Sequence, residues 1–420
     1  MPHSHGISRR GLLRTTAAAA LALPYYVPRS AFGANDRVIT GHIGVKNQGT
    51  SNLGKVFMEH VGAVCDVDKV VLGKAVEKCE KAGRKVDTYG DYRKLLERKD
   101  IDAVVITTPD HWHARMTIDA CQAGKDVYCE KPLTLTVREG RKMVEAARAN
   151  NRIVQTGSQQ RSDDKFRQAC ELVRNGKLGK IREVLVGLSG PNYPKDQVPD
   201  SDPPSELDYD FWLGPAPLRP YNKNRVHYNF RFYWDYSGGQ MTNFGAHHLD
   251  IAHWGLGMDD SGPLEVGGTA TFHPEKVHEV TETCRMTLKY PGDVTVIIGQ
   301  KESDIPGGVT FVGSEATLFV DRKKITCTIP EIVSTPLDSG AVRLYESKSH
   351  HQNFLDCIAS REKPVADVEI GHRSATACHL ANIAARLGRT IRWDAKGETI
   401  TGDDEAAAML DRPHRSPWTV

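Results

Sequence analysis

Arg37-Val38-Ile39-Thr40-Gly41-His42-Ile43-Gly44-Val45-Lys46-Asn47-Gln48-Gly49 runs from an apolar stretch into a glycine turn. The stretch reads as a buried strand, and the glycines mark a tight turn that opens a helix. The next apolar run, Gly62-Ala63-Val64-Cys65-Asp66, ends on an acid 17 residues beyond Gly49. Strand, glycine turn, helix and a second strand ending on an acid form the layout of a dinucleotide site. In that layout backbone N–H groups face the pyrophosphate, and the acid takes the ribose hydroxyls. The second glycine of the usual turn is replaced by Lys46. Either Lys46 points outward and adds charge near the phosphates, or the turn holds its nucleotide in another way or not at all. Asp66 favours NAD, because a carboxylate repels a 2′-phosphate; NADP stays open as the alternative.

The same alternation continues. A helical stretch covers Asp68–Ala82, and Asp102–Thr108 is a continuous apolar strand. A helix carrying Met116, Ile118, Ala120 and Cys121 follows, then the strand Asp126–Cys129, the helix Val137–Asn150 and the strand Arg152–Thr156. This predicts an α/β domain over 35–180, a Rossmann-type, doubly wound parallel sheet. After Gly179-Lys180 the pattern changes: Ile181–Leu188 leads out, and 190–236 is long, aromatic and irregular. Strands are then expected at Glu265–Phe272, Cys284–Tyr290, Val294–Gly299, Val309–Val312 and Thr317–Val320. They imply an α+β domain over 181–372 with an open, mostly antiparallel sheet. Residues 373–420 are expected as a helix and tail packing back on the nucleotide domain.

The chain has 420 residues, 39% hydrophobic, with a mean hydropathy of −0.44. At roughly 100–200 residues per domain, that length accommodates two or three domains. Few long apolar runs exclude a polytopic membrane protein. The 55 basic and 53 acidic residues leave a net charge of +2 and no electrostatic case for a nucleic-acid partner. Nine cysteines are widely spaced with no C-x-x-C, so zinc ribbons and dithiol redox chemistry are unsupported and free thiols are expected.

Ser8-Arg9-Arg10-Gly11-Leu12-Leu13-Arg14, the apolar Ala17–Leu23 and the small residues Ala31-Phe32-Gly33-Ala34 stand at the N-terminus. A basic head, a short apolar core and a small-residue cleavage site predict an export signal over 1–34. Its paired arginines resemble a twin-arginine signal, so the expected partner is the twin-arginine export machinery. The destination is then the periplasm or another exported location, without a stable membrane anchor. Residues 1–33 hold four arginines and no acid, so their removal takes the net charge from +2 to −2.

Further motifs are Thr107-Thr108-Pro109-Asp110-His111-Trp112-His113 and, at a strand end, Glu130-Lys131-Pro132. Downstream lies Asn243-Phe244-Gly245-Ala246-His247-His248-Leu249-Asp250. In combination with the glycine turn these resemble the Gfo/Idh/MocA oxidoreductases, from about Arg37 to the end. The resemblance implies cofactor contacts from Gly44, Lys46, Asn47, Gln48, Gly49, Asp66, Thr108, Pro109, His111, His113, Glu130 and Lys131. It makes Lys131 and His247 catalytic, with Asn243 standing where many members have an aspartate. Asn243 can orient a substrate but cannot supply a carboxylate's charge. Gln160 or Arg161, closing the last strand, is expected to line the substrate pocket beside Lys131, Asn243 and His247. No metal is expected, because His248 and Asp250 lie on helix faces other than that of His247.

A histidine near a hydroxyl whose carbon gives up hydride, with a lysine cation beside the developing alkoxide, suits dehydrogenation. The resemblance therefore implies an exported NAD(P)-dependent enzyme acting on a sugar, cyclitol or glycoside hydroxyl, as a homo-oligomer, dimer or tetramer. Outside the cytoplasm no soluble nicotinamide pool recycles the cofactor, so tight binding is expected. Two other readings stay open. One is glycoside cleavage through transient oxidation; the other is a non-catalytic binding protein on the same scaffold.

Overall fold

The computed structural model describes residues 37–190 and 193–420; the expected export signal lies outside the described residues. Six strands, β1 (Thr40–Ile43), β2 (Val61–Cys65), β3 (Asp87–Tyr89), β4 (Ala103–Ile106), β5 (Asp126–Cys129) and β6 (Val154–Thr156), form one sheet. Their order is β3-β2-β1-β4-β5-β6, and every pairing is parallel. This is the doubly wound order, which reverses direction between β1 and β4. All four residues of β4 are buried because helices cover both sheet faces, which is why this strand reads as an unbroken apolar run. The helix Lys69–Lys81 buries Val71, Ala75 and Cys79, one stripe at four-residue spacing, and Asp68 caps it by accepting from the Val70 and Val71 N–H groups.

The second sheet has nine strands: β7 (Ile181–Leu188), β8 (Glu265–Phe272), β9 (Thr281–Tyr290), β10 (Val294–Gln300), β11 (Gly308–Gly313), β12 (Thr317–Val320), β13 (Ile325–Cys327), β14 (Ile391–Asp394) and β15 (Thr399–Thr401). Only β7 and β10 pair in parallel; all other neighbours are antiparallel. Cys284, Met286, Leu288 and Tyr290 alternate inward along β9, so one face is covered and the other is polar. The helices Gly245–Leu256 and Val368–Leu387 cover the inner face and carry the largest apolar core.

The single helix expected through Asn243 and His247 is two, Gly239–Asn243 and Gly245–Leu256. The Phe244 carbonyl accepts from both the His247 and the His248 N–H, at 3.0 Å each, which tightens the turn between them. The chain after Leu387 divides its packing. Strands β14 and β15 extend the nine-stranded sheet, while Trp418 packs edge-on to Trp112 and Phe211 in the nucleotide-side core. The aromatic segment forms its own cluster around Trp212, Phe230, Phe232 and Tyr236. It also straps back over the end of β2: Lys69 N–H donates to the Glu206 carbonyl and Asp208 N–H to the Val67 carbonyl, both at 3.0 Å. All nine cysteines are free thiols, and eight are buried.

Candidate active site

Where the strand order reverses, the C-terminal ends of β1 and β4 open into a cleft of about 300 Å³, lined from Asp66 at one end to His247 at the other. Gly44 leaves β1 at φ +79°, and a Cβ there would stand 2.8 Å from the Thr107 carbonyl. A Cβ on Gly49 would stand 2.1 Å from the Gly44 carbonyl oxygen. Only glycine fits either position, and the bare turn lets a ligand approach the backbone. Lys46 is exposed at the lip, and Asn47 is a second residue of the turn with positive φ, at 48°. Gln48 also lines this end. Asp66 accepts from the Val45 N–H at 2.9 Å and the Asp68 N–H at 3.0 Å. Burial pushes its carboxyl up to about 6, against those two hydrogen bonds. Thr108 and Pro109 line the middle of the cleft, and the Thr108 Oγ1 is buried without a partner. Bare turn, ribose-side acid and unpartnered hydroxyl together fit a dinucleotide.

Glu130, at the end of β5, is clamped by three amides. Gln159 Nε2 donates at 3.0 Å, Asn52 Nδ2 at 3.1 Å and Gln48 Nε2 at 3.5 Å. The adjacent Lys131 Nζ donates to Asn243 Oδ1 at 2.7 Å across 112 residues of sequence. The other end of that amide donates to Gln240 Oε1 at 2.7 Å, so the Asn243 oxygen is held toward the lysine. Burial, with Arg231 next, pushes the Lys131 ammonium down to about 8, while Asp110 and Glu130 oppose. His247 lines the same end, and its Nδ1 is buried without a partner. Burial, then Lys131 and Arg322, hold His247 well below its ordinary value, so the ring is neutral at neutral pH.

Four expected contacts lie elsewhere. Arg161, 1% exposed, is locked behind the wall by Asp250 at 2.7 Å and by Asp259 at 2.6 Å. A buried guanidinium needs such acids, and they hold it away from the cleft. With its amide turned, Gln160 donates to the His247 carbonyl at 3.1 Å and accepts from Arg322 Nε at 3.2 Å, so it braces the wall. His111 Nε2 faces the Trp212 carbonyl at 3.0 Å. His113 places Nδ1 2.9 Å from the Pro132 carbonyl and Nε2 2.9 Å from the Thr108 carbonyl. Both histidines are buried struts rather than cofactor contacts. Two carbonyls on one ring require two N–H donors, the imidazolium form. Burial opposes that charge on His113, but Cys129, Asp110 and the Pro132 carbonyl outweigh it and raise the group to about 10.

His248 turns away to the Gly187 carbonyl at 2.8 Å. Among the described residues no group of three His, Cys, Asp or Glu side chains is placed to hold a metal ion. The sequence reading passed over Gln159, Asn52, Arg231 and Arg322, which hold Glu130 or line the cleft. Gln159 adjoined the residues chosen, whereas no local pattern marks the two arginines.

Comparison with known proteins gives a consistent picture. Residues 41–158 match the oxidoreductase family NAD-binding Rossmann fold of the Gfo/Idh/MocA group, and residues 167–420 match that group's C-terminal alpha/beta domain. The inositol 2-dehydrogenase of Salmonella typhimurium is 31% identical over 41% of this chain and 53% of its own length. A glycosyl hydrolase family 109 protein of Shewanella baltica is 36% identical over 34% of this chain and 37% of its own. The chain thus spans about half the length of the first and about a third of the second. The structure of the aldose-aldose oxidoreductase from Caulobacter crescentus superposes with a TM-score of 0.63 at 19% identity, covering 85% of this chain and 100% of that one.

Proposed function

The chain belongs to the Gfo/Idh/MocA oxidoreductase family, and from that premise we propose that it is an exported NAD-dependent oxidoreductase acting on a sugar, cyclitol or glycoside hydroxyl. The observation that carries this reading is the meeting of Lys131, Asn243 and His247 at one end of a cleft whose other end holds Gly44 and Asp66. Asp66 and the glycine turn would hold the adenosine half of a dinucleotide, whose nicotinamide would supply the hydride acceptor. The neutral His247 ring takes the hydroxyl proton as the carbon gives up hydride. The Lys131 ammonium, aimed by Asn243, stabilises the alkoxide that develops on the substrate oxygen.

A second reading is favoured by the glycosyl hydrolase family 109 relatives. There the same carbon is oxidised to a ketone, the neighbouring C–H proton and glycosidic alcohol are lost, water adds, and the ketone is reduced again. The strap of residues 206–208 over the Asp66 end suits a nucleotide that stays bound through many turnovers. One experiment separates the two readings. Mass spectrometry identifies the nucleotide that co-purifies, and the holoprotein is then incubated with a panel of sugars and glycosides. Free sugar without net nicotinamide reduction selects the cleavage reading, and net reduction selects the dehydrogenase. Protein that carries no nicotinamide and acquires none would contradict both.

A further inference from the structure

Two arginines reach the Lys131 end of the cleft from separate parts of the fold. Arg231 comes from the short helical segment His227–Phe232, and Arg322 from the turn between β12 and β13. Buried Arg161 has Asp250, and half-buried Arg141 has Glu369 and Glu398, all at 2.7 Å. Neither cleft arginine, half-buried Arg231 or Arg322 at the exposed rim, makes an ion pair within 4.0 Å among the described residues. Arg231 donates to the Tyr228 carbonyl at 3.1 Å and lies 4.7 Å from the Tyr228 and Phe230 ring centroids. Arg322 lies 5.6 Å from the Phe244 ring centroid. The acids nearby are already engaged. Asp110 accepts from Ser237 Oγ at 2.6 Å, and Glu130 is clamped by its three amides.

This end of the cleft thus carries Lys131 and two guanidinium groups against Asp110 and Glu130, with Asp163 on the side of Arg322. After burial, Arg231 and Arg322 disfavour the charged form of Lys131, and Lys131 and Arg322 disfavour that of His247. Positive groups gathered in a partly desolvated cleft are costly until a counter-charge arrives, and a guanidinium fork matches carboxylate and phosphate oxygens. The dinucleotide's own phosphates belong at the glycine turn, where Lys46 stands at the lip, so they do not account for this cluster.

We propose that the substrate is an anionic sugar, bearing a carboxylate or a phosphate ester, whose anionic group binds between Arg231 and Arg322 while the reacting hydroxyl lies at Lys131 and His247. This rests on the oxidoreductase reading for the identity of the reacting group, but it makes a separate claim about charge. An anion there also removes repulsion from His247, restoring the basicity that proton removal needs.

The test is equilibrium binding to the nucleotide-loaded protein of three probes: D-glucuronate, D-glucose 6-phosphate and neutral D-glucose. At least one anionic probe should bind about ten- to a hundredfold tighter than glucose, and its identity separates the carboxylate from the phosphate source. In Arg322→Gln and in Arg231→Gln that preference ratio should fall by a similar factor and weaken with salt. Nicotinamide reduction is followed in parallel. Charge-dependent binding without reduction would sink the oxidoreductase reading and keep this proposal. Equal binding of the three probes, an unchanged preference ratio in both variants, or a loss that falls on nucleotide affinity instead would overturn it.

Discussion

At the scale of single residues, the departure from the family pattern that matters most is Asn243. Its oxygen takes a hydrogen bond from Lys131 at 2.7 Å without adding negative charge, so only Asp110 and Glu130 oppose the burial and the Arg231 charge that bring Lys131 down to about 8. The ammonium form is present below that value and lost above it. Oxidation supported by the cation should therefore decline as pH rises past about 8. Asn243→Asp places a carboxylate at hydrogen-bond range and stabilises the ammonium, so the alkaline limb of kcat/KM should move upward by about 1–2 pH units. A pH profile of the two proteins checks this, and an unmoved limb would remove Asn243 from control of the lysine.

At the scale of elements, His113 joins the chain leaving β4, through the Thr108 carbonyl, to the chain leaving β5, through the Pro132 carbonyl. Its folded value, about 10, stands above the ordinary 6.5. The stabilisation is therefore complete below 6.5 and is lost as pH rises through about 10. His113→Gln, which cannot span both carbonyls, should cost about 2 kcal/mol in urea unfolding near pH 6, with the gap narrowing toward pH 10. A gap independent of pH would show that the ring is neutral. The sequence reaches such elements unevenly. Most strands, the glycine turn and the Asp66 position are legible because each depends on local periodicity and backbone sterics. Strands β3, β13, β14 and β15, three or four residues each, are too short to show a period and go unread. The Lys131–Asn243 contact became legible only through the family resemblance, since 112 residues separate the partners. The assignment of Arg161 to the pocket failed for the same reason: its acids, Asp250 and Asp259, lie 89 and 98 residues away and are invisible in the local pattern. The histidine pair was visible as a motif, but its role depends on which carbonyls the fold brings within 3.0 Å.

At the scale of the whole molecule, a parallel sheet supplies the nucleotide end of one cleft, and the chain beyond β7 supplies the rest. Asn243, His247, Arg231 and Arg322 all come from that second part, and the strap at 206–208 ties it back over β2. Chemistry in this cleft requires both halves, so a variant that weakens the reacting end should leave the nucleotide end intact. The direct measurement is the absorbance of reduced nicotinamide after sugar is added to nucleotide-loaded wild type and Lys131→Met. The wild type should reduce its bound nucleotide. The variant should retain the nucleotide and reduce it about 10²–10⁴-fold more slowly. Equal rates in the two proteins would contradict the assignment of this cleft as the reacting site.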